Sequence, residues 1–201
     1  MIKVENIDVW GFAHAIRGMR NPLNSWVKSD SEFYGSIDIG PNDLDLMRRL
    51  YKARPEHRKY LRQIFVSMDI TAPFYWYKEY DTYKVGTVAN SCSTMHKIAA
   101  KEFTIDDFSH EHLEDLSLLE KTVAVLNEAR NNYLETKDRR YWWEMIQNLP
   151  SSYNQKRTVT MNYENVISMI KQRTGHKLDE WDEFVDILKS LPYIEEIMGD
   201  N

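Results

Sequence analysis

The sequence predicts an α+β domain in which a small mixed or antiparallel sheet carries long helices. Three observations predict it. "IFVSMDITA" (64–72) alternates Phe65, Ser67, Asp69 and Thr71 with Ile64, Val66, Met68 and Ile70, which is the period of a strand with one buried face. Across 111–148 the apolar residues Leu116, Leu119, Val123, Leu126, Ala129 and Tyr133 recur at three- and four-residue steps, with Glu and Lys between them, as on an amphipathic helix. "KRTVTMN" (156–162) is a further short strand, followed by the helical pattern "NVISMIKQR".

Taken in order, Ile2, Val4, Ile7 and Val9 suit an opening strand that ends near Gly11. Residues 17–43, punctuated by Gly, Asn-Pro and Gly-Pro, read as a long loop with short structured pieces. A helix is predicted from Pro41, with Asn42 as its N-cap, Asp43 and Asp45 in its first turn, and Leu44, Met47, Leu50 and Tyr51 on its apolar face; Pro55 stops it. "EHRKYLRQ" suits another helical turn or two. After the 64–72 strand, Pro73 opens a short aromatic helix, "PFYWYKEYD". The 111–148 region breaks near 136–138 and closes at Pro150. Gly175 ends the helix after 156–162. A last amphipathic helix places Leu178, Trp181, Phe184, Val185 and Leu188 on one face.

With 201 residues the chain reads as one domain, 1–201, long enough for a single core. Its net charge of -5 argues against nucleic acid as a partner, although a local basic pocket stays open. One Cys rules out an intrachain disulfide framework and suits a cytoplasmic setting. The start "MIKVENIDVW" has no signal-peptide pattern, and no apolar run has membrane-spanning length.

Seven glycines form neither a dinucleotide-binding nor a P-loop pattern. No metal spacing is present: His110 and His112 lie two apart, which on a helix points them away from each other and makes them surface histidines. Cys92 has no local activating base and reads as a buried, inert thiol. Tyr75, Trp76 and Tyr77 read as core or interface rather than as a platform for a planar ring. Two basic clusters suit a phosphate: Lys84 beside small hydroxyls, and Lys156–Arg157 with Arg173 at the end of the next helix.

"LPSSYNQKRTVTMNYENVISMIKQR" resembles the flavin-dependent thymidylate synthases. That family has Leu-Pro, a basic residue in a loop, a strand with Thr-x-Asn, and a helix ending in Arg. Here these are Leu149–Pro150, Lys156, Thr160–Asn162 and Arg173. "FVSMDITAPFYWYKEYDTYKVGTVANSCSTMH" resembles the family's strand, Ala-Pro, short helix and Arg-His-Arg signature with its following Asn-Glu-x-Ser. Thr82, Tyr83 and Lys84 take the signature places, Thr87 that of a Ser, and Asn90, Ser91, Cys92 and Ser93 the last portion. Glu164 stands where the family has a flavin-holding Arg, and Glu79 where it has Gln.

The resemblance implies methylation of dUMP to dTMP with methylenetetrahydrofolate, reduced flavin and NADPH, in a homotetramer that uses no cysteine nucleophile. It implies Arg173 as the catalytic residue over the pyrimidine. Glu79, Ser91, Cys92, Ser93, Lys156 and Arg157 would bind the substrate, and Tyr83, Lys84 and Asn162 would bind FAD. The altered signature carries an alternative: a non-catalytic, nucleotide-binding or structural homo-oligomer on the same scaffold, with flavin binding lost.

Overall fold

Among residues 2–199, which the computed structural model describes, the chain opens with strand β1 (Lys3–Trp10) and turns at Gly11 into helix α1 (Phe12–Arg20). Gly11 has φ +100, and a Cβ there would run into the Gln63 carbonyl, so the turn requires glycine. Helix α2 (Pro41–Lys52), a 3-10 stretch (Pro55–Gln63), strand β2 (Phe65–Pro73) and helix α3 (Phe74–Tyr80) follow. Next come strand β3 (Thr87–Ser91), helix α4 (Thr94–Lys97), and the long helices α5 (Ser117–Thr136) and α6 (Arg139–Asn148). Strand β4 (Asn154–Asn162) leads into α7 (Tyr163–Arg173), α8 (Asp179–Lys189) and α9 (Ile194–Met198). The four strands form one sheet in the order β1-β2-β4-β3. The expected α+β class is the one observed.

The chain divides into two compact units. The α5/α6 unit takes Ile70–Thr82 and Asn90–Thr158. Its core gathers Phe103, Phe108, Leu119, Leu126, Ala129 and Met145, with Leu116, Val123 and Tyr133 packed against it. The helical periodicity of 116–133 therefore marked the buried stripe correctly. A fully buried Leu or Met here contributes roughly 1.5–3 kcal/mol. The break between α5 and α6 falls where expected: Lys137 is left-handed and the Asp138 side chain caps α6. Trp76 and Tyr77 of α3 are buried, as the core reading of the aromatic run expected, together with Tyr80, while Tyr75 is half-buried.

The α7/α8 unit takes Val4–Asp69, Tyr83–Ala89 and residues 159–199. Phe12, Ile16, Met47, Tyr60, Tyr163, Trp181 and Phe184 are among its buried side chains. Here Arg20 and Asp43 form a buried ion pair at 2.6 Å. The Asp43 carboxylate also accepts from the Ser29 and Ser31 hydroxyls, each at 2.7 Å, and from the Asp30 N–H at 3.0 Å. Burial alone would raise the Asp43 pKa, but the bonds from Ser31, Ser29 and Arg20 outweigh it and hold the carboxyl below its ordinary value.

Four expectations are corrected. Residues 12–20 are helical, because Phe12, Ala15, Ile16 and Met19 bury one face despite Gly18 and the flanking Asn-Pro. Asn42 is not the α2 cap. Pro41 is the first helical residue, and the Asp30 carboxylate receives the Asn42 and Asp43 N–H groups at 2.9 and 3.1 Å from outside the helix. Residues 111–116 are not helical, so His110 and His112 flank a turn rather than a helix face; His110 Nδ1 lies 2.8 Å from the Phe108 carbonyl. A short ninth helix, α9, follows the one read as last. Among the described residues, no helix is long and apolar enough to cross a membrane, and no group of three or more His, Cys, Asp or Glu could hold a metal.

Candidate functional site

In the α5/α6 unit the end of β3 is bonded to β4 on both sides of Cys92. The Cys92 N–H donates to the Lys156 carbonyl at 2.9 Å, and Gln155 Nε2 donates to the Cys92 carbonyl at 2.8 Å. The chain then turns at Ser93, whose hydroxyl oxygen caps α4 by accepting the His96 N–H at 3.2 Å and lies 2.8 Å from His96 Nδ1. This fixed turn forms one wall of a cavity of about 550 Å³, which Thr71, Lys97, Tyr153 and Lys156 also line. Three lysines (97, 101 and 156) and two aspartates (106 and 107) belong to the lining. Lys101 is ion-paired to Asp107, and Lys97, Lys156 and Asp106 are the other charged residues of the lining. Ammonium groups beside Ser, Thr and Tyr hydroxyls suit a phosphomonoester, whose oxygens take charge-assisted hydrogen bonds.

Of the residues expected at the substrate, Cys92, Ser93 and Lys156 line this cavity. Ser91 and Glu79 do not; Glu79 sits in α3, where its carbonyl accepts the Thr82 N–H. Arg157 does not either. Its guanidinium lies 3.7 Å over the Tyr77 ring and donates to Asp81 at 2.8 Å and to Gln155 Oε1 at 3.0 Å. It is a brace: Asp81, Arg157 and Gln155 form a chain ending on the Cys92 carbonyl. Burial pushes the Tyr77 phenol up further than the neighbouring Arg157 lowers it, so it stays neutral and donates to the Ile70 carbonyl at 2.7 Å. Cys92 is exposed, which corrects its reading as a buried thiol. Sequence reasoning missed Gln155 and Lys101. Gln155 falls just before the strand read at 156–162, among other polar residues, so nothing in the sequence singled it out.

In the α7/α8 unit Arg173 closes α7. Its Nε donates to the Tyr83 hydroxyl at 2.9 Å, one amino group lies 3.2 Å from His176 Nε2, and the guanidinium stands 4.7 Å over the Trp181 ring. Tyr83 in turn donates to Gln172 Oε1 at 3.1 Å. Asn162 is buried, and its side chain caps α7 by accepting the Asn165 N–H at 3.1 Å. Glu164 pairs with Arg62 at 2.9 Å. Lys84 is exposed.

No protein-family model matches the sequence, and no curated protein matches it. Solved structures do match the fold. Thymidylate synthase X (ThyX) from Helicobacter pylori, solved with FAD and dUMP, aligns over 98% of this chain and 96% of its own, with a TM-score of 0.75 and 14% identity. A second structure of that enzyme with FAD and dUMP gives 0.73 and 15% identity over 98% and 97%. The chain has the ThyX fold. The UMP/dUMP methylase PolB from Streptomyces cacaoi, bound with 5-Br UMP, shares this fold at a TM-score of 0.67 and 14% identity, over 98% of this chain and 92% of its own. The ThyX fold thus covers nearly all of the chain, including the first 55 residues, where the sequence resemblance was weakest.

Proposed function

We propose that this chain binds a uridylate-type nucleoside 5′-monophosphate, with the phosphate in the cavity lined by Lys156, Lys97 and the Cys92–Ser93 turn. The observation that carries the reading is the turn itself, held on both sides by β4 and lining one cavity with Lys97 and Lys156. Its volume, about 550 Å³, lies within the range of small-molecule sites. The neighbours on this fold, named with dUMP or 5-Br UMP, support the ligand class. Lys156 supplies a point charge, where a forked guanidinium would fix two oxygens at once, so the hydroxyls of Ser93 and Tyr153 take on the orientation of the phosphate.

A second reading is methylation of dUMP at C5, with methylenetetrahydrofolate, flavin and NADPH as the resemblance implies. Arg173, still at the end of α7 and half-buried, favours it, because a guanidinium donates well to pyrimidine carbonyls. Thermal shift separates binding from its absence. At dUMP or UMP about 100-fold above its Kd, melting should rise by the equivalent of about 2.7 kcal/mol, roughly 5–10 °C. Tritium release from 5-tritiated dUMP then reports the second reading. A melting temperature unmoved by dUMP, UMP and dTMP would remove the proposed ligand.

A further inference from the structure

We infer that the segment Tyr83–Thr87 is a closed latch on α7, and that this chain takes no flavin dinucleotide at the residues where the resemblance places one. The inference stands apart from the nucleotide reading, because every group it uses lies in the α7/α8 unit. Tyr83, Lys84 and Asn162 are the residues expected at the cofactor, and two of the three are committed to the protein itself. The Tyr83 hydroxyl accepts from Arg173 and donates to Gln172, at 2.9 and 3.1 Å, and its ring meets Trp181 edge-on at 6.2 Å. Asn162 spends its side-chain oxygen on the Asn165 N–H.

The backbone between them is tied down as well. Asn165 Nδ2 donates to the Val85 carbonyl at 2.7 Å, and the Thr87 hydroxyl donates to the Tyr83 carbonyl. Gly86 lies so close to α7 that a Cβ would stand 2.5 Å from Asn162 Nδ2. With φ +78 it turns the chain in a way other residues resist. A planar ring system cannot slide between two strands of chain already in contact.

Charge points the same way. A flavin dinucleotide carries an anionic diphosphate, which binds where cations or unspent N–H groups gather. The first turn of α7 instead presents Glu164, already paired to Arg62. The pair leaves neither the Arg62 guanidinium nor the positive end of the helix uncommitted for a diphosphate. Lys84 is the only cation within Tyr83–Thr87.

Two measurements test the latch on the intact chain. FAD and FMN are titrated with protein up to about 100 µM, following flavin anisotropy, with the dUMP thermal shift read on the same preparation. The expected result is no anisotropy change, whatever dUMP does. FAD uptake approaching one per chain overturns the inference, again whatever dUMP does, so the two readings fail separately. Limited proteolysis then reads the latch directly: cleavage after the exposed Lys84 should be slow in the wild type and at least about 10-fold faster in Tyr83→Phe. Wild-type cleavage there at the rate of an open loop would overturn it.

Discussion

Lys156 and Arg157 are adjacent, and the sequence offered both to the same phosphate. Successive side chains on a strand point to opposite faces, so the pair diverges. Lys156 lines the cavity; Arg157 lies on Tyr77. That alternation was readable in "NQKRTVTMN", whereas the partners of Arg157, Asp81 and Tyr77, come from α3 and were not. Removing the charge with Lys156→Ala should weaken dUMP binding by about 10–100-fold, the range of a hydrogen bond to a charged group, while Lys156→Arg should keep most of it. Titration calorimetry of the two variants checks this. Asp43 is a second single-residue case. Asp43→Asn leaves Arg20 buried without its counter-charge and should cost about 3–5 kcal/mol in denaturant melts. Because the folded carboxyl sits below its ordinary pKa, its share of stability is present above about pH 4 and is lost as the pH falls through the folded value. The wild type should therefore lose stability more steeply in acid than Asp43→Asn.

Elements with strong periodicity were legible. The stripe Leu119, Leu126 and Ala129 in α5 and the face Trp181, Phe184, Val185 and Leu188 in α8 are buried as their spacing required. Helix α1 was obscured because Gly18 and two arginines dilute a short apolar face, and packing rather than propensity decides it. The α2 cap was illegible for a different reason: its acceptor, Asp30, lies eleven residues before the first helical residue and reaches it only once the chain has folded back. At this scale, Leu126→Ala should cost about 2–5 kcal/mol, because α5 and α6 close around that side chain. Asn162→Ala should cost about 0.5–2 kcal/mol through loss of the α7 cap. Chemical denaturation of both variants measures the difference, and equal losses would contradict this division between core and cap.

For the molecule as a whole, the ThyX fold was reached from the sequence through two segments, 65–96 and 149–173, and the structure extends it over nearly all of the chain. The lysine-lined cavity is built, while Tyr83 of the signature segment is bonded to α7 and Lys84 and Val85 stay exposed. We also propose the homotetramer that the resemblance implies. Ile7 and Trp10 on the edge strand β1 are exposed, and an edge with apolar side chains is commonly covered by another chain. Light scattering should give the mass of four chains, and a monomer at all concentrations would contradict this. The central claim, a uridylate-type nucleotide held by Lys156, is tested most directly by titrating dUMP into wild type and Lys156→Ala in a calorimeter. The account predicts saturable binding at one nucleotide per chain that weakens at least about 10-fold in the variant. Binding of equal strength in both proteins, or no binding of dUMP or UMP to the wild type, would contradict it.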